Sequence, residues 1–442
     1  MLEALKNAFK TKDIRNKILF TLAMIVVIRL GTSIPIPGVD PAQYNAWYLG
    51  LTGGGDGGNL FGLMDRFTGG SFENMSVFAL NITPYITSSI IIQLLTIAFP
   101  ALEEMQRDGE EGRKKLTKAT RFLTVGLALM ESAIMGVNFY RAGYLTARNP
   151  LLVLQIVAGL TAGSTFLMWL GERITEKGVG NGISIVLGVN ILSRIPSDVS
   201  TLFKQFVFNK RVIQAVLIAA VIIAVIIAMV VLVVILNGAE RRIPVQYAKK
   251  LQGRRMMGGN TAEIPLKVNT AGVMPIIFAM SLFQFPIIIS SFAGYKGTGV
   301  WAEILRYLNQ NYWCNLQFPI YTLGMVAYML LMIFFAYFYT SITFNPLEVA
   351  DNMKKQGGFI PGIRPGKPTS DYLQNILKHV IFIGAVGLII IGILPIVFNG
   401  LAGASVSFGG TSLIIVVSVI LETMKQIESQ MVVRNYKGFL DT

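Results

Sequence analysis

The chain holds one cysteine, Cys314, and one histidine, His379, in 442 residues. A single cysteine excludes an internal disulfide framework. A single histidine with no cysteine cluster excludes the usual zinc-ligand sets, and His379 beside Lys378 reads as an ordinary interfacial residue. Catalytic signatures are missing too. There is no G-x-S-x-G and no H-E-x-x-H, and GGGDGG lacks the Lys-Ser/Thr ending of a phosphate-binding loop. Neither a metal nor a cofactor is expected. Charge is scarce at 14% of residues, and acids are the rarer sign, with 24 Asp and Glu against 38 Lys and Arg. Soluble domains carry about 25% charged residues, so an ordinary hydrated surface is excluded as well.

Apolar residues fill the gap. They make up 53% of the chain, and mean hydropathy is +0.58. About ten continuous apolar runs lie near 18–36, 75–98, 119–139, 151–171, 180–195, 212–236, 271–292, 318–342, 376–397 and 409–426. A spanning helix needs about 20 such residues. A transmembrane β-barrel would show short segments of alternating polarity instead. The fold class is therefore an all-α integral membrane protein of about ten transmembrane helices. The fifth run is the poorest, broken by Ser184, Asn190 and Ser193, and needs shielding by protein or a wet cavity.

Most Lys and Arg fall in the N-terminal segment, the loops near 99–121, 172–181, 237–270 and 343–378, and the C-terminus. The positive-inside rule puts these in the cytosol, so a multi-pass protein of the cell (plasma or inner) membrane with both termini cytosolic is expected. The net charge of +14 is explained by basic loops beside anionic lipid and needs no nucleic acid. MLEALKNAFKTKDIRNK is amphipathic and basic, and the run after it has no small-residue cleavage site, so no cleavable signal peptide is expected.

Ten spans divide into five and five, and an odd number per half inverts the second. The second run carries Pro84 in NITPYIT and the seventh carries Pro275 in GVMPIIF. Paired, proline-interrupted spans point to a central pathway between inverted halves, whereas a simple kink in each helix explains them equally. The expected halves are 1–195 and 196–442. Between the first two runs, Gly53 to Gly58 form a tether. Leu60, Phe61, Leu63, Met64 and Phe67 then recur at helical spacing. A helix near 59–72 is too short to span, and would lie on the interface or stop a cavity.

The loop RRIPVQYAKKLQGRRMMGGNTAEIPLK, near 237–270, interleaves basic pairs with Ile, Val, Tyr, Leu and Met. FNPLEVADNMKKQGGFIPGIRPGKPTSDY, near 343–375, puts Arg364 at a projecting turn. Such loops suit docking of a large partner, or simple solvation beside lipid. Ionisable residues in or near the runs are Arg29, Glu131, Glu172 and Glu422, too few for a convincing proton relay. Ile82 and Ile86 lie four apart, as do Ile183 and Leu187. An aliphatic constriction would exclude ions by staying dry, and ordinary helix packing gives the same spacing. A small-molecule secondary transporter and an intramembrane enzyme are the competing classes. The first needs a polar midplane site and the second a catalytic constellation.

Along nearly its whole length the chain resembles the SecY family of protein-conducting channels. The matching stretches are GTSIPIPGVD, FALNITPYITSSIIIQLL, FLMWLGERITEKGVGNGISI, RRIPVQYAKKLQGRR, LKVNTAGVMP, FNPLEVADNMKKQGGFIPGIRPGKPT and GGTSLIIVV, in that order. The match is weakest near 40–58, 140–150 and 196–211, and in the last dozen residues. The resemblance implies a pore between the two halves, with an aliphatic ring at Ile82, Ile86, Ile183, Leu187, Ile277 and Ile415. It turns the short helix near 59–72 into a plug. It implies a lateral gate between the second and seventh helices, with Thr87, Asn269 and Phe285 at gate positions, where signal sequences and membrane segments of secretory precursors reach the lipid bilayer. It implies that Arg254, Arg255 and Arg364 dock the motor ATPase SecA or the ribosome, and that the small subunits SecE and SecG assemble with the chain. A channel subunit is no enzyme, so energy is expected from the partner ATPase, the ribosome or the proton-motive force. One departure stands beside the ring: Asn81 occupies a place where a small residue, commonly glycine, is expected.

Overall fold

Residues 9–53, 68–147, 149–206, 212–247, 250–252, 255–257, 261–292, 299–313, 319–402 and 410–437 are described in the computed structural model. A helix stands on each of the ten apolar runs. These are α1 (Lys12–Thr32), α3 (Thr83–Ala98), α5 (Glu110–Ala142), α6 (Pro150–Lys177), α7 (Gly182–Phe206), α8 (Val212–Gly238), α9 (Met274–Phe292), α11 (Thr322–Thr343), α13 (Lys367–Ala402) and α14 (Gly410–Lys437). Four shorter helices lie in the connections: α2 (Pro41–Gly53), α4 (Pro100–Arg107), α10 (Val300–Leu308) and α12 (Pro346–Lys355).

Among the described residues five helices, α5, α6, α8, α11 and α13, are each long and apolar enough to cross a bilayer, and α3 with α4 makes a sixth if that pair, bent by 109°, is one span. The apolar parts of α7 and α9, Gly182–Ser197 and Met274–Ile287, are shorter. α8 is apolar all round and exposes Val216, Leu217, Val221, Ile227 and Ile235, as a helix solvated by lipid does.

The second run is corrected. It reads as a span from 75, but the helix begins only at Thr83, and residues 68–82 are mostly turns. Phe72, Met75, Phe78, Ala79 and Leu80 are buried there, and hydropathy does not separate a buried turn from a helix. Pro84 therefore interrupts nothing. It sits in the first turn of α3, where its missing N–H has no helical partner to lose. Pro275 holds the same place in α9, after the turns at 268–273. Both prolines start helices that begin inside the protein.

Four helices hold the stretch 68–82, hereafter the strap. Tyr44 Oη of α2 donates to the Phe72 carbonyl at 2.6 Å, and burial raises the phenol pKa far above its ordinary value, so the donor keeps its proton. The Arg29 guanidinium of α1 donates to the Gly69 carbonyl at 3.3 Å. Ser164 Oγ of α6 donates to the Asn81 carbonyl at 3.0 Å. Arg194 of α7 pairs with Glu73 at 2.8 Å. Gly163 allows α6 to touch the strap, because a Cβ there would lie 2.0 Å from the Val77 carbonyl oxygen.

The all-α description holds for the apolar part, while the two large loops add a sheet. β1 (Glu240–Tyr247) pairs antiparallel with β4 (Thr261–Lys267) on one side and β5 (Gly358–Phe359) on the other, and β2 (Lys250–Gln252) pairs with β3 (Arg255–Met257). Ile243, Val245, Leu266, Met353, Ile360 and Leu373 form the core beneath it, so the two loops are one body.

α1 to α7 pack mainly among themselves, as do α8 to α14. The broadest contact across the two sets is α7 on α14. Gly163→Val is expected to lower the thermal midpoint in detergent, since overpacking costs ~1–3 kcal/mol. Gly159→Val, which faces open space, should leave the midpoint unchanged.

Candidate functional site: an aliphatic constriction under a polar cavity

Six aliphatic side chains from four elements converge. Ile82 caps the N-terminus of α3 and is fully buried, and Ile86 follows one turn later. Ile183 and Leu187 lie in the first two turns of α7. The Asn181 side chain accepts from the Ile183 N–H at 3.1 Å, and Gly182 lets the start of α7 press against Gly171 of α6. Ile277 lies in the first turn of α9, and Ile415 is buried on α14. All six belong to one apolar cluster, with Ile82, Leu187 and Ile415 buried and Ile86, Ile183 and Ile277 half-buried.

Against this cluster lies a cavity of ≈ 690 Å³. Ile86, Ile183, Leu187 and Ile277 contribute to its wall, and its polar lining includes Arg121, Glu172, Glu176, Lys267, Glu422 and Lys425. Arg121 and Glu172 are paired at 2.8 Å across α5 and α6. Lys267 ends β4, so the polar part lies toward the basic loops and the aliphatic part away from them. Its carboxylates and amines gather on the side of the basic loops, and the channel matches described below do not favour the small-molecule transporter reading. Among the described residues no group of His, Cys, Asp and Glu could hold a metal ion.

The remaining expected residues are dispersed. Asn269 is buried and donates to Asn237 Oδ1 at 2.7 Å, and Asn237 donates to Ser418 Oγ at 2.7 Å, so Asn269 is tied to α8 and α14. Thr87 Oγ1 donates to the Thr83 carbonyl of its own helix, and Phe285 is 41% exposed on α9. Of the three, only Asn269 lines the cavity. Arg364 is exposed at its turn, and its carbonyl accepts from Thr369 Oγ1 at 2.8 Å. Arg255 opens β3. Arg254 and the plug residues Leu60, Phe61, Leu63, Met64 and Phe67 lie outside the described residues.

Asn81 departs from the glycine expectation for a reason the backbone supplies. Its φ is +51°, a left-handed conformation that glycine adopts freely and asparagine tolerates better than other side chains. Its side chain is 1% exposed and accepts from Asn190 Nδ2 at 3.1 Å. Sequence reading missed Asn190, Arg194 and Asn237 as partners. Among the polar interruptions of the fifth run, Asn190 was the available signal, since its side chain meets Asn81, 109 positions away, whereas Ser193 Oγ donates to the Asn190 carbonyl of its own helix.

Residues 76–424 match the family model SecY. The protein translocase subunit SecY of Streptomyces galbus is 46% identical over 454 residues, covering 100% of both chains. A solved structure described as a protein conducting channel matches at TM-score 0.67 and 20% identity, over 95% of this chain and 93% of that one. Sec61 in the canine ribosome-channel complex matches at TM-score 0.65 and 19% identity, over 95% and 93%. The chain belongs to the SecY family of translocase subunits, and its function is to conduct polypeptides across a membrane.

Asn237→Leu should orphan the Asn269 amide and weaken the tie among α8, the β4–α9 turn and α14. A loss of ~1–3 kcal/mol is expected, read as a lower thermal midpoint of the purified channel.

Proposed function

We propose that the polypeptide passes between α1–α7 and α8–α14, through the six aliphatic side chains, and that these form the seal when no polypeptide is present. The observation that carries this reading is their convergence in one apolar cluster against a wide polar cavity. A dry aliphatic waist offers a passing chain no specific hydrogen bonds, which suits cargo of varied sequence, and it stops ions by excluding water. The halves at 1–195 and 196–442 would part along α3 and α9, the lateral gate through which signal sequences and membrane segments reach lipid. Thr87, Asn269 and Phe285 flank that seam in this reading. The plug role of the stretch near 59–72 rests on the sequence alone.

The basic loops face the cytosol of a plasma or inner membrane in this reading, and both termini lie there. The paired loops present Arg364 on a body braced by a sheet, and Arg254 and Arg255 belong to the same loop region. That arrangement favours docking of a large partner: a ribosome, as in the canine complex, or the motor SecA, with SecE and SecG as membrane companions. Energy would come from the docked partner or from the proton-motive force.

The direct test is crosslinking. With Cys314 replaced, a cysteine at Ile86 or Ile277 should crosslink to a stalled secretory precursor. Its absence there, with crosslinks on lipid-facing α8 instead, would reject the pathway. Ile86→Asn or Ile277→Asn should wet the seal and raise export of precursors with defective signals; unchanged export counts against the ring. Arg364→Glu should reduce motor-driven export while the thermal midpoint stays put, and normal export by that variant would reject its docking role.

A further inference from the structure

Ile183, Leu187, Asn190 and Arg194 are spaced four, three and four apart, so they form one stripe along α7. Its first two members are aliphatic and belong to the constriction cluster. Its last two are polar, and both reach the strap. Asn190 Nδ2 donates to Asn81 Oδ1, the neighbour of Ile82, at 3.1 Å. Arg194 pairs with Glu73 at 2.8 Å. At Gly69 the strap backbone also lies against the helix itself. A Cβ on Gly69, whose φ is +69°, would stand 3.0 Å from the Asn190 Cα and carbonyl oxygen.

We propose that Asn190 and Arg194 are positioning residues that clasp the strap to α7 through Asn81 and Glu73, holding Ile82 in the constriction and favouring the closed channel. The proposal rests on the reading of the six aliphatic side chains as a seal. The clasp acts on the one ring member that lies outside a helix. Ile82 is a cap residue with φ −93° and ψ 5°, preceded by a residue in the left-handed region, so no helical hydrogen-bond ladder runs through the strap to fix it. Something else must hold it, and the stripe on α7 is aligned to do so. Asn190 and Asn81 are each 1% exposed, so their hydrogen bond is formed away from water. The Asn190 carboxamide oxygen finds no partner among the described residues, which leaves Asn190 holding the strap by a single side-chain hydrogen bond. Such an attachment biases an equilibrium without locking it. Asn190 and Arg194 need not touch the cargo; they act through Ile82.

The test uses the full channel complex in proteoliposomes and a reporter precursor with and without a functional signal. Asn190→Leu removes the buried donor to Asn81 Oδ1. It should raise passage of the signal-less reporter roughly 5–30-fold, the ratio that one such interaction commands, while passage of the signalled reporter stays at the parental level. Asn81→Gly with Asn190→Gly removes both amides and should lie closer to the parent than Asn190→Leu, because the hydrogen bond loses both of its ends rather than one. Arg194→Glu should leak, and Arg194→Glu with Glu73→Arg should seal again.

Ile86→Asn serves as the control. If it leaks while Asn190→Leu and Arg194→Glu stay tight, the clasp is wrong and the seal stands. If Ile86→Asn is also tight, the seal reading itself fails. Equal loss of both reporters in the α7 variants, not restored by the charge swap, would make these residues merely structural and overturn the proposal.

Discussion

Hydrocarbon leaves no water for a backbone amide or carbonyl, so irregular chain at membrane depth survives only where protein or a wet cavity shields it. The arrangement of this molecule follows from that constraint. The strap at 68–82 and the turns at 268–273 are non-helical chain leading into α3 and α9. They cannot face lipid, so they must be enclosed, and both helices therefore begin in the interior. Enclosure has a chemical signature. The strap carbonyls of Gly69, Phe72 and Asn81 receive donors from Arg29, Tyr44 and Ser164. An arginine inside the first apolar run, anomalous as a membrane residue, is accounted for as a donor to a carbonyl that has no helix to satisfy it.

Starting two helices inside the protein also creates the site. A helix that began at the membrane surface would present its interior turns along a continuous wall. Here Ile82 and Ile277 stand where helices start, opposite Ile183 and Leu187 at the start of α7. Residues from three helix beginnings share one apolar cluster, and Ile415 joins them from α14. The polar cavity lies against that cluster, and the turn leading into α9, Asn269 to Val273, forms part of its wall.

Much of this was legible in the residues. Hydropathy located all ten apolar helices, and four-residue spacing singled out Ile82 with Ile86 and Ile183 with Leu187. Ile277 and Ile415 came only from the family resemblance, since nothing local distinguishes one isoleucine of an apolar helix from its neighbours. The start of α3 was misread because SVFALNI is as apolar as a helix and yet folds as buried turns. The sheet was overlooked although β1 announces it: in ERRIPVQY, Ile243 and Val245 alternate with exposed residues at period two. Asn190 and Ser193 looked like defects in a poor span. Asn190 recorded a partner elsewhere in the chain, Asn81, which no window along α7 could contain, while Ser193 donates to the Asn190 carbonyl of its own helix.

A seal of the proposed kind faces conflicting demands. It must accept any side chain, which favours aliphatic residues that bind nothing, yet it must close on one arrangement, which favours specific polar bonds. The structure separates the two along α7. Ile183 and Leu187 belong to the aliphatic cluster, whereas Asn190 and Arg194, one and two turns further on, hold the strap. In the proposed seal, polar groups in the aliphatic cluster would admit water where dryness is what excludes ions. The same groups further along the helix, with Asn190 buried against Asn81 and Arg194 half-buried beside Glu73, lend geometric specificity to side chains that have none of their own. On the proposed clasp, closure depends on a bond that the aliphatic cluster does not contain, and opening requires only that the free energy of an arriving segment exceed that bond's bias.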